Sequence, residues 1–336
     1  MGKASSGNPA SAQRWIAAIV LGCLIGAVTY VGWDVAGGAA SDLDQLWFAS
    51  RALLAGNDPY RAMSPAVSPW PLIYPMPAVF LAIPFAWLPL PLARACWFGM
   101  GTAFLVWAWA DGASWRLLGL ASGAFVWCAI GANWTPLLIA GIWLPAVRYF
   151  WCIKPNLGLL LWIRRPTIVP ILGGAILLAI SFIVAPHWLT EWLSNIFHPE
   201  WGHAYHPIPI SLPGGWLLLL ALLRWRQPEA RVIAAWAMLP SSVMPSELLL
   251  GFAIARTRAE WAVVSVASWM VVAYATWVGG ATQDPGETPA HAFARWAGHV
   301  WPAMLAAWLA LLVMVLWRPV RSVGEADVLM PATIDA

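Results

Sequence analysis

The sequence predicts an all-α membrane protein, a polytopic bundle with about 12 transmembrane segments. Of its 336 residues, 61% are hydrophobic and only 10% are charged. A soluble domain carries about 25% charged residues, so most of this surface is expected to face lipid. A spanning helix needs roughly 20 apolar residues, and the chain is long enough for a dozen. We therefore predict one transmembrane domain over 1–336, with loose tails at 1–13 and 324–336.

The apolar segments can be followed in order along the chain. The first, 15–33, is longer than the core of a signal peptide, and we interpret it as a retained helix. Polar stretches at 34–70 and 186–210 are predicted to be outer loops. The later apolar segments are 71–90, 95–110, 115–133, 134–147, 155–163, 166–185, 213–223, 232–244, 248–255, 261–278 and 296–317. Over 134–163 the pattern fits either two short helices or a re-entrant hairpin.

The charges predict an orientation. Positive residues concentrate on the cytoplasmic side of membrane proteins. With the N-terminus inside and twelve crossings, most of the 18 Lys and Arg residues fall inside and most of the 15 Asp and Glu residues fall outside. In this topology Arg14 and Arg94 lie inside, whereas Asp44 and Asp111 lie outside. Both termini are predicted to be cytoplasmic.

No cofactor, metal or nucleic acid is predicted. The four cysteines lie in apolar runs, where a free thiol behaves as a small hydrophobic group. We find no phosphate-binding glycine loop, no nucleophilic serine motif and no basic patch for nucleic acid. The loop 198–206 carries His203 and His206, but their spacing fits no standard metal motif. We interpret these imidazoles as contacts for a lipid phosphate or for sugar hydroxyls.

The segment 41–56 is predicted to form a short amphipathic helix at the outer interface. Ser41 suits the N-cap position with Asp44 three residues later, and Gly56 suits a C-terminal cap.

The two carboxylates of this helix are not equivalent. At 100° per residue, Asp42 shares a stripe with Leu46 and Ala49, which is expected to pack on the bundle. Partial desolvation there raises the pKa of a carboxyl towards the range of a general base. The alternative is that Asp42 has no catalytic role and is present because the helix dipole favours an acidic residue at the N-terminus. Asp44 is expected to complete the capping box and face Arg51.

Three other polar residues are candidates for binding. Tyr60 and Tyr74 are placed to hydrogen-bond a polar ligand at the outer surface, or else to anchor the chain at the interface. Lys154 lies between two apolar segments, where an unpaired cation is costly, so it marks a site unless it snorkels to the surface. Glu247, an isolated acid at a broken helix, is a lesser candidate.

Over 41–165 the chain resembles the family 87 glycosyltransferases of the GT-C superfamily, which includes polyprenol-phosphate-mannose-dependent mannosyltransferases. The resemblance rests on Asp42-Leu43, the run Ala49-Ser50-Arg51-Ala52-Leu53-Leu54-Ala55-Gly56, Asp58-Pro59-Tyr60, Tyr74-Pro75, Lys154-Pro155 and Arg164-Arg165. The chain departs from the family at Ala132-Asn133, where Gly-Gln is usual, and it is shorter than most members.

This resemblance implies a GT-C-like bundle in a bacterial inner membrane and an inverting, lipid-phosphate-sugar-dependent glycosyltransferase. Asp42 would be the general base, with Asp44 beside it. The polyprenyl-phosphate sugar donor and the lipid or glycan acceptor would be bound by Lys154, Arg51, Tyr60, Tyr74, His203 and His206. The alternative is a non-catalytic subunit that keeps the family fold and binds a membrane-protein partner. A third class, a transporter, should show inverted repeats, and none is visible.

Overall fold

A computed structural model describes residues 9–35, 41–63, 71–111, 113–197, 207–281 and 289–319. Within these ranges every regular element is helical, which confirms the all-α class. The α-helices are α1 (Pro9–Val35), α2 (Asp42–Leu54), α3 (Met76–Ala82), α4 (Leu90–Trp109), α5 (Gly123–Ile130), α6 (Thr135–Ala140), α7 (Pro155–Arg164), α8 (Val169–Val184), α9 (Trp188–Ile196), α10 (Pro228–Met238), α11 (Gly251–Ile254), α12 (Arg258–Ala281) and α13 (Pro289–Trp317). Segments of 3-10 helix lie at Ile83–Phe85, Ser114–Ala121, Pro145–Ile153, Pro209–Ser211, Gly215–Arg224 and Pro245–Leu250.

Four helical stretches of the described chain are long and apolar enough to cross a membrane. They are Ser11–Gly32, Leu90–Trp109, Arg258–Gly279 and His291–Trp317. A fifth would be α8 with α9, which meet at a bend of 104°. These apolar helices indicate a membrane protein. Helices of spanning length do not reach the predicted number of twelve, because several predicted crossings are short or broken helices.

Helices α1 and α4 pack closely and run antiparallel. A Cβ atom on Gly22 would lie 2.7 Å from the carbonyl oxygen of Gly99, so only glycine allows this approach. Small residues four apart, here Gly22 and Gly26, are a common device for close packing between membrane helices. The beginning of α1 meets the end of α4, where Arg14 Nη1 lies 2.8 Å from Asp111 Oδ1.

The predicted crossing at 71–90 is wrong. Its helix α3 has seven residues, which span about 10 Å at 1.5 Å per residue. The segment folds back along α2, since Ser50 Oγ donates to the Val79 carbonyl oxygen (2.9 Å) and Trp47 Nε1 donates to that of Leu88 (3.1 Å). Helix α4 therefore begins at the same end of the bundle as α2.

The segment after α5 forms a compact helical hairpin. Helix α6 has only six residues, and the 3-10 helix Pro145–Ile153 returns beside it. Arg148 Nε donates to the Gly141 carbonyl oxygen (2.8 Å) and Trp151 Nε1 to that of Leu138 (2.9 Å). These bonds satisfy carbonyl groups where the short helix ends, as buried backbone requires.

Three of the arginines predicted on the inner side, Arg164, Arg256 and Arg318, lie at the opposite end of the bundle from α2, whereas Arg94 lies at the α2 end. The buried carboxylate of Glu229 binds both Arg164 (3.0 Å) and Arg256 (2.8 Å). Nearby, Arg318 binds Glu260 (2.8 Å). The bundle therefore has one end rich in paired arginines and another that carries Asp42.

Candidate functional site

Asp42 is the first residue of α2, and both ends of this helix are fixed. The Asp42 backbone N–H donates to the Gly131 carbonyl oxygen (3.0 Å), just beyond α5. At the other end Gly56 has φ +77°, and Asn57 N–H donates to the Ala52 carbonyl oxygen (2.9 Å). This arrangement is a Schellman cap, so the predicted role of Gly56 is confirmed.

The Asp42 carboxylate meets the side chain of Asn133. Asn133 Nδ2 donates to Asp42 Oδ2. On the other side of the amide, Asn133 Oδ1 accepts from the backbone N–H of Thr135 (2.8 Å) and from its hydroxyl. The hairpin thus contacts the predicted base directly.

Tyr74 closes a second side of the same carboxylate. Its hydroxyl lies close enough to Asp42 to lower the pKa of that carboxyl, and its ring lies edge-on to Trp134 at 4.6 Å between centroids. The backbone is held by Tyr60, whose hydroxyl donates to the Tyr74 carbonyl oxygen (3.0 Å). Tyr74 therefore contacts the candidate base, whereas Tyr60 supports Tyr74.

The surroundings of Asp42 change the pKa of its carboxyl group. Burial raises its pKa, and the charge of Asp44 adds to this effect. The charge of Lys154 and hydrogen bonds from Tyr74 and Asn133 lower it, but the net pKa stays above the ordinary value for an aspartate. The side chain is only half-buried. A partly exposed carboxylate with a raised pKa can accept a proton near neutral pH more effectively than an ordinary one.

Lys154 lies at the return end of the hairpin, and its charge acts on Asp42. It lines a cleft with Thr135, Asn156 and Glu247 as the polar wall; the apolar wall includes Leu157, Leu160, Trp236, Leu239 and Leu250. Asp42 is not among the described lining residues, and its link to the cleft runs through Asn133 to Thr135. The cleft offers about 20 Å³ to the centres of water molecules, which is room for one or two waters.

The Glu247 side chain, on the polar wall of this cleft, is held by four hydrogen bonds. Its Oε2 accepts from Trp236 Nε1 (2.9 Å) and from the Ser241 hydroxyl, and its Oε1 accepts from the Ser242 N–H (2.9 Å) and hydroxyl (2.7 Å). Val243, which directly follows the two serine donors, has φ +52°. A β-branched residue in this region is strained, and strain of this kind collects at functional sites.

Asp44 has another role than the one predicted from the helical stripe. It completes the capping box with Ser41, as expected, but it does not face Arg51. Its carboxylate is buried and receives two hydrogen bonds from Arg94. Arg51 is exposed and stacks on Trp47, with its guanidinium carbon 4.6 Å from the ring centroid. Asp44 and Arg51 therefore belong to the scaffold of α2 rather than to the cleft.

The structure brings together three of the predicted site residues, Asp42, Tyr74 and Lys154. His203 and His206 lie outside the described residues. Sequence reasoning missed Asn133, noting it only as a departure from a family pattern. The sequence nevertheless contained a signal for Asn133. Asn133 and Thr135 are polar residues between two apolar runs, and a polar side chain in that position indicates a site more readily than a contact with lipid.

Within the described ranges, no group of three or more His, Cys, Asp or Glu side chains could hold a metal ion. No family model, no curated protein and no solved structure matches this chain.

Proposed function

We propose that the protein is an inverting glycosyltransferase that moves a sugar from a polyprenyl-phosphate donor to a lipid or glycan acceptor at the outer membrane face. The observation that carries this proposal is that the half-buried carboxylate of Asp42 lies within electrostatic reach of Lys154. The raised pKa of Asp42 suits a base, and the cation of Lys154 lies close enough to influence it. The proposal includes a GT-C-like bundle whose shorter helices complete the membrane crossings around this site.

The chemistry needs one base and one cation. Asp42 would remove the proton from an acceptor hydroxyl while the hydroxyl oxygen attacks the anomeric carbon. The bond from that carbon to the phosphate oxygen breaks, and the polyprenyl phosphate leaves with the electron pair. Lys154 would bind this phosphate, because a cation at the leaving group stabilises charge that grows in the transition state. No ion pair or hydrogen bond occupies its ammonium group within the described part of the chain.

Donor binding requires the cleft to open. Space for one or two waters does not admit a sugar phosphate. The lining residues come from the hairpin, α7, α10 and the 3-10 helix Pro245–Leu250, so separation of these elements would enlarge the cleft.

A second candidate is a non-catalytic membrane subunit with this fold. In it Asn133 and Tyr74 would hold Asp42 as part of a closed polar cluster, and the protein would act through a membrane-protein partner. The closed cleft is the feature that favours this alternative.

A transfer assay separates the two functions. The full chain in lipid nanodiscs would be given radiolabelled polyprenyl-phosphate mannose and a membrane lipid extract as acceptor. Label should move to acceptor with the wild type and fall at least 100-fold with Asp42→Asn, in line with loss of a general base. Asp111→Asn, an exposed acid at the other end of α4, is the matched control and should keep full activity.

Lys154→Gln tests the binding half of the proposal. It should weaken donor binding and slow transfer, because the donor loses its charge-assisted contact to phosphate. Arg226→Gln, which removes an exposed cation at the other end, is its control. Unchanged donor affinity in Lys154→Gln would move the phosphate site elsewhere. No label transfer and no donor binding by the wild type, together with a stable protein complex, would establish the subunit.

A further inference from the structure

The orientation of the Asn133 amide is determined by its neighbours. The backbone N–H of Thr135 can only donate, so the Asn133 atom that lies 2.8 Å from it must be the carbonyl oxygen. The NH₂ group then has to face Asp42, where it donates to Oδ2. An amide NH₂ cannot accept a hydrogen bond. This contact is therefore available only to an Asp42 oxygen that acts as an acceptor.

The backbone around Asn133 is also fixed. Its N–H donates to the Cys128 carbonyl oxygen (2.9 Å), and its side chain is buried. The preceding residue, Ala132, has φ +42°, a conformation that L-residues other than glycine rarely adopt. The chain keeps this unfavourable turn between α5 and α6, and the turn aims the amide at the start of α2.

We propose that Asn133 is the positioning residue of this site: clamped by Thr135, it holds Oδ2 of Asp42 and fixes the direction of the carboxylate. The catalytic importance of Asn133 rests on the proposed function. The hydrogen bonds that connect Thr135, Asn133 and Asp42 are independent of that proposal. Asn133 acts through Asp42 and contacts no reacting atom. Its role is to keep a partly desolvated carboxylate ionised and in one rotamer.

Among the described residues, the other charged and titratable groups around Asp42 are few and can be kept constant. Asp44 lies on the same helix, and Tyr74, Lys154 and the Cys128 thiol face Asp42 from other elements. Lys154 and Tyr74 favour the ionised form, as Asn133 does, whereas Asp44 opposes it. The hydrogen bond from the Asn133 amide counteracts part of the pKa increase that burial causes at Asp42. Removing this amide should therefore raise the pKa of Asp42.

The test measures the protonation of Asp42 directly. Dicyclohexylcarbodiimide modifies protonated carboxyl groups in apolar surroundings, and peptide mass spectrometry of the full chain in nanodiscs gives the labelled fraction of Asp42 at each pH. A hydrogen bond to a charged group corresponds to about one to two pKa units. The labelling midpoint should therefore rise by roughly one to two pH units in Asn133→Leu.

Two further variants make the result specific. Asn195→Leu removes an amide that donates to the Leu72 carbonyl oxygen (3.0 Å) away from the site, and it should leave the midpoint unchanged. Thr135→Val keeps the backbone donor to Asn133 but removes the hydroxyl, so it should raise the labelling midpoint by a smaller amount. This variant replaces Asn133→Leu in the test if Asn133→Leu does not fold.

An unchanged midpoint in a folded Asn133→Leu or Thr135→Val protein overturns the proposal, as does an equal shift in Asn195→Leu. The titration needs no sugar transfer, so its failure is distinct from failure of the proposed function. If transfer is present, Asn133→Leu should also move the acid limb of its pH–rate profile upwards by the same amount.

Discussion

Arg94 and Asp44 form a buried, two-pronged ion pair, with Arg94 Nε 2.7 Å from Oδ1 and Arg94 Nη2 bonded to Oδ2. Both side chains are more than nine-tenths buried. The pair joins the start of α2 to the start of α4, so these two residues cannot lie on opposite sides of a membrane. Of the two carboxylates of α2, Asp42 is therefore the less buried.

The two aspartates should therefore differ in stability effects. Asp44→Asn removes the carboxylate that pairs with the buried Arg94 cation, and we expect a loss of about 3 kcal/mol in the free energy of unfolding. Equilibrium unfolding in mixed detergent micelles would measure it. Asp111→Asn breaks an exposed pair and should cost less than about 1 kcal/mol. If Asp44→Asn is as mild as this control, the pair does not hold α2 in place.

A double variant tests the same pair from the other side. In Asp44→Asn/Arg94→Gln neither charge remains, so the destabilisation should be smaller than the sum of the two single variants. Simple additivity in the same unfolding assay would mean that the two residues do not interact.

Topology gives an independent prediction. The antiparallel packing of α1 and α4 places Ala62 and Ser114 at opposite ends of the bundle, whereas twelve crossings would place the polar stretch 34–70 and Asp111 on the same side. In a background without native cysteines, Ala62→Cys and Ser114→Cys should react with an impermeant maleimide from opposite sides of the membrane. Reaction of both from one side would restore the crossing at 71–90.

The cap of α2 gives a clean test of backbone conformation. Nothing lies within 4 Å of a Cβ added at either Gly56 or Gly32, but only Gly56 has a positive φ. Gly56→Ala should destabilise the protein by roughly 1 kcal/mol, the cost of a left-handed conformation. Gly32→Ala, inside α1, should stabilise it by up to about 1 kcal/mol through helix propensity. Equal melting-temperature shifts in the two variants would contradict the cap.

The raised pKa of Asp42 predicts a pH dependence of stability. Between the unfolded and the folded pKa, the folded state binds more protons, so this group stabilises the protein most below that window and loses its contribution as pH rises through it. The melting temperature of the wild type relative to Asp42→Asn should therefore fall across that acid window and level off above it. A rise of this difference with pH would show that the folded pKa of Asp42 is lowered instead.

Local sequence patterns were sufficient to predict both ends of α2. The N-cap at Ser41, the capping box and the cap at Gly56 follow from short-range backbone geometry, and all three are found. The stripe argument expected Asp42 to pack on the bundle, but Asp44 is the more deeply buried of the two. The stripe argument left Asp44 facing Arg51, whereas Arg94, fifty residues later, takes this carboxylate. Such a partner is invisible to helical periodicity.

The sequence by itself determined the helical class, the apolar character and the candidate base, because these depend on composition and on residues within a few positions of one another. Only the tertiary structure decided which apolar segments reach spanning length, which side of the bundle receives Arg94, and that Asn133 rather than a charged residue contacts Asp42. The physical reason is that a short apolar run has the same hydropathy in a crossing, a re-entrant hairpin or a buried 3-10 turn. What separates these cases is where the neighbouring helices leave space and which distant groups satisfy the backbone at each broken end.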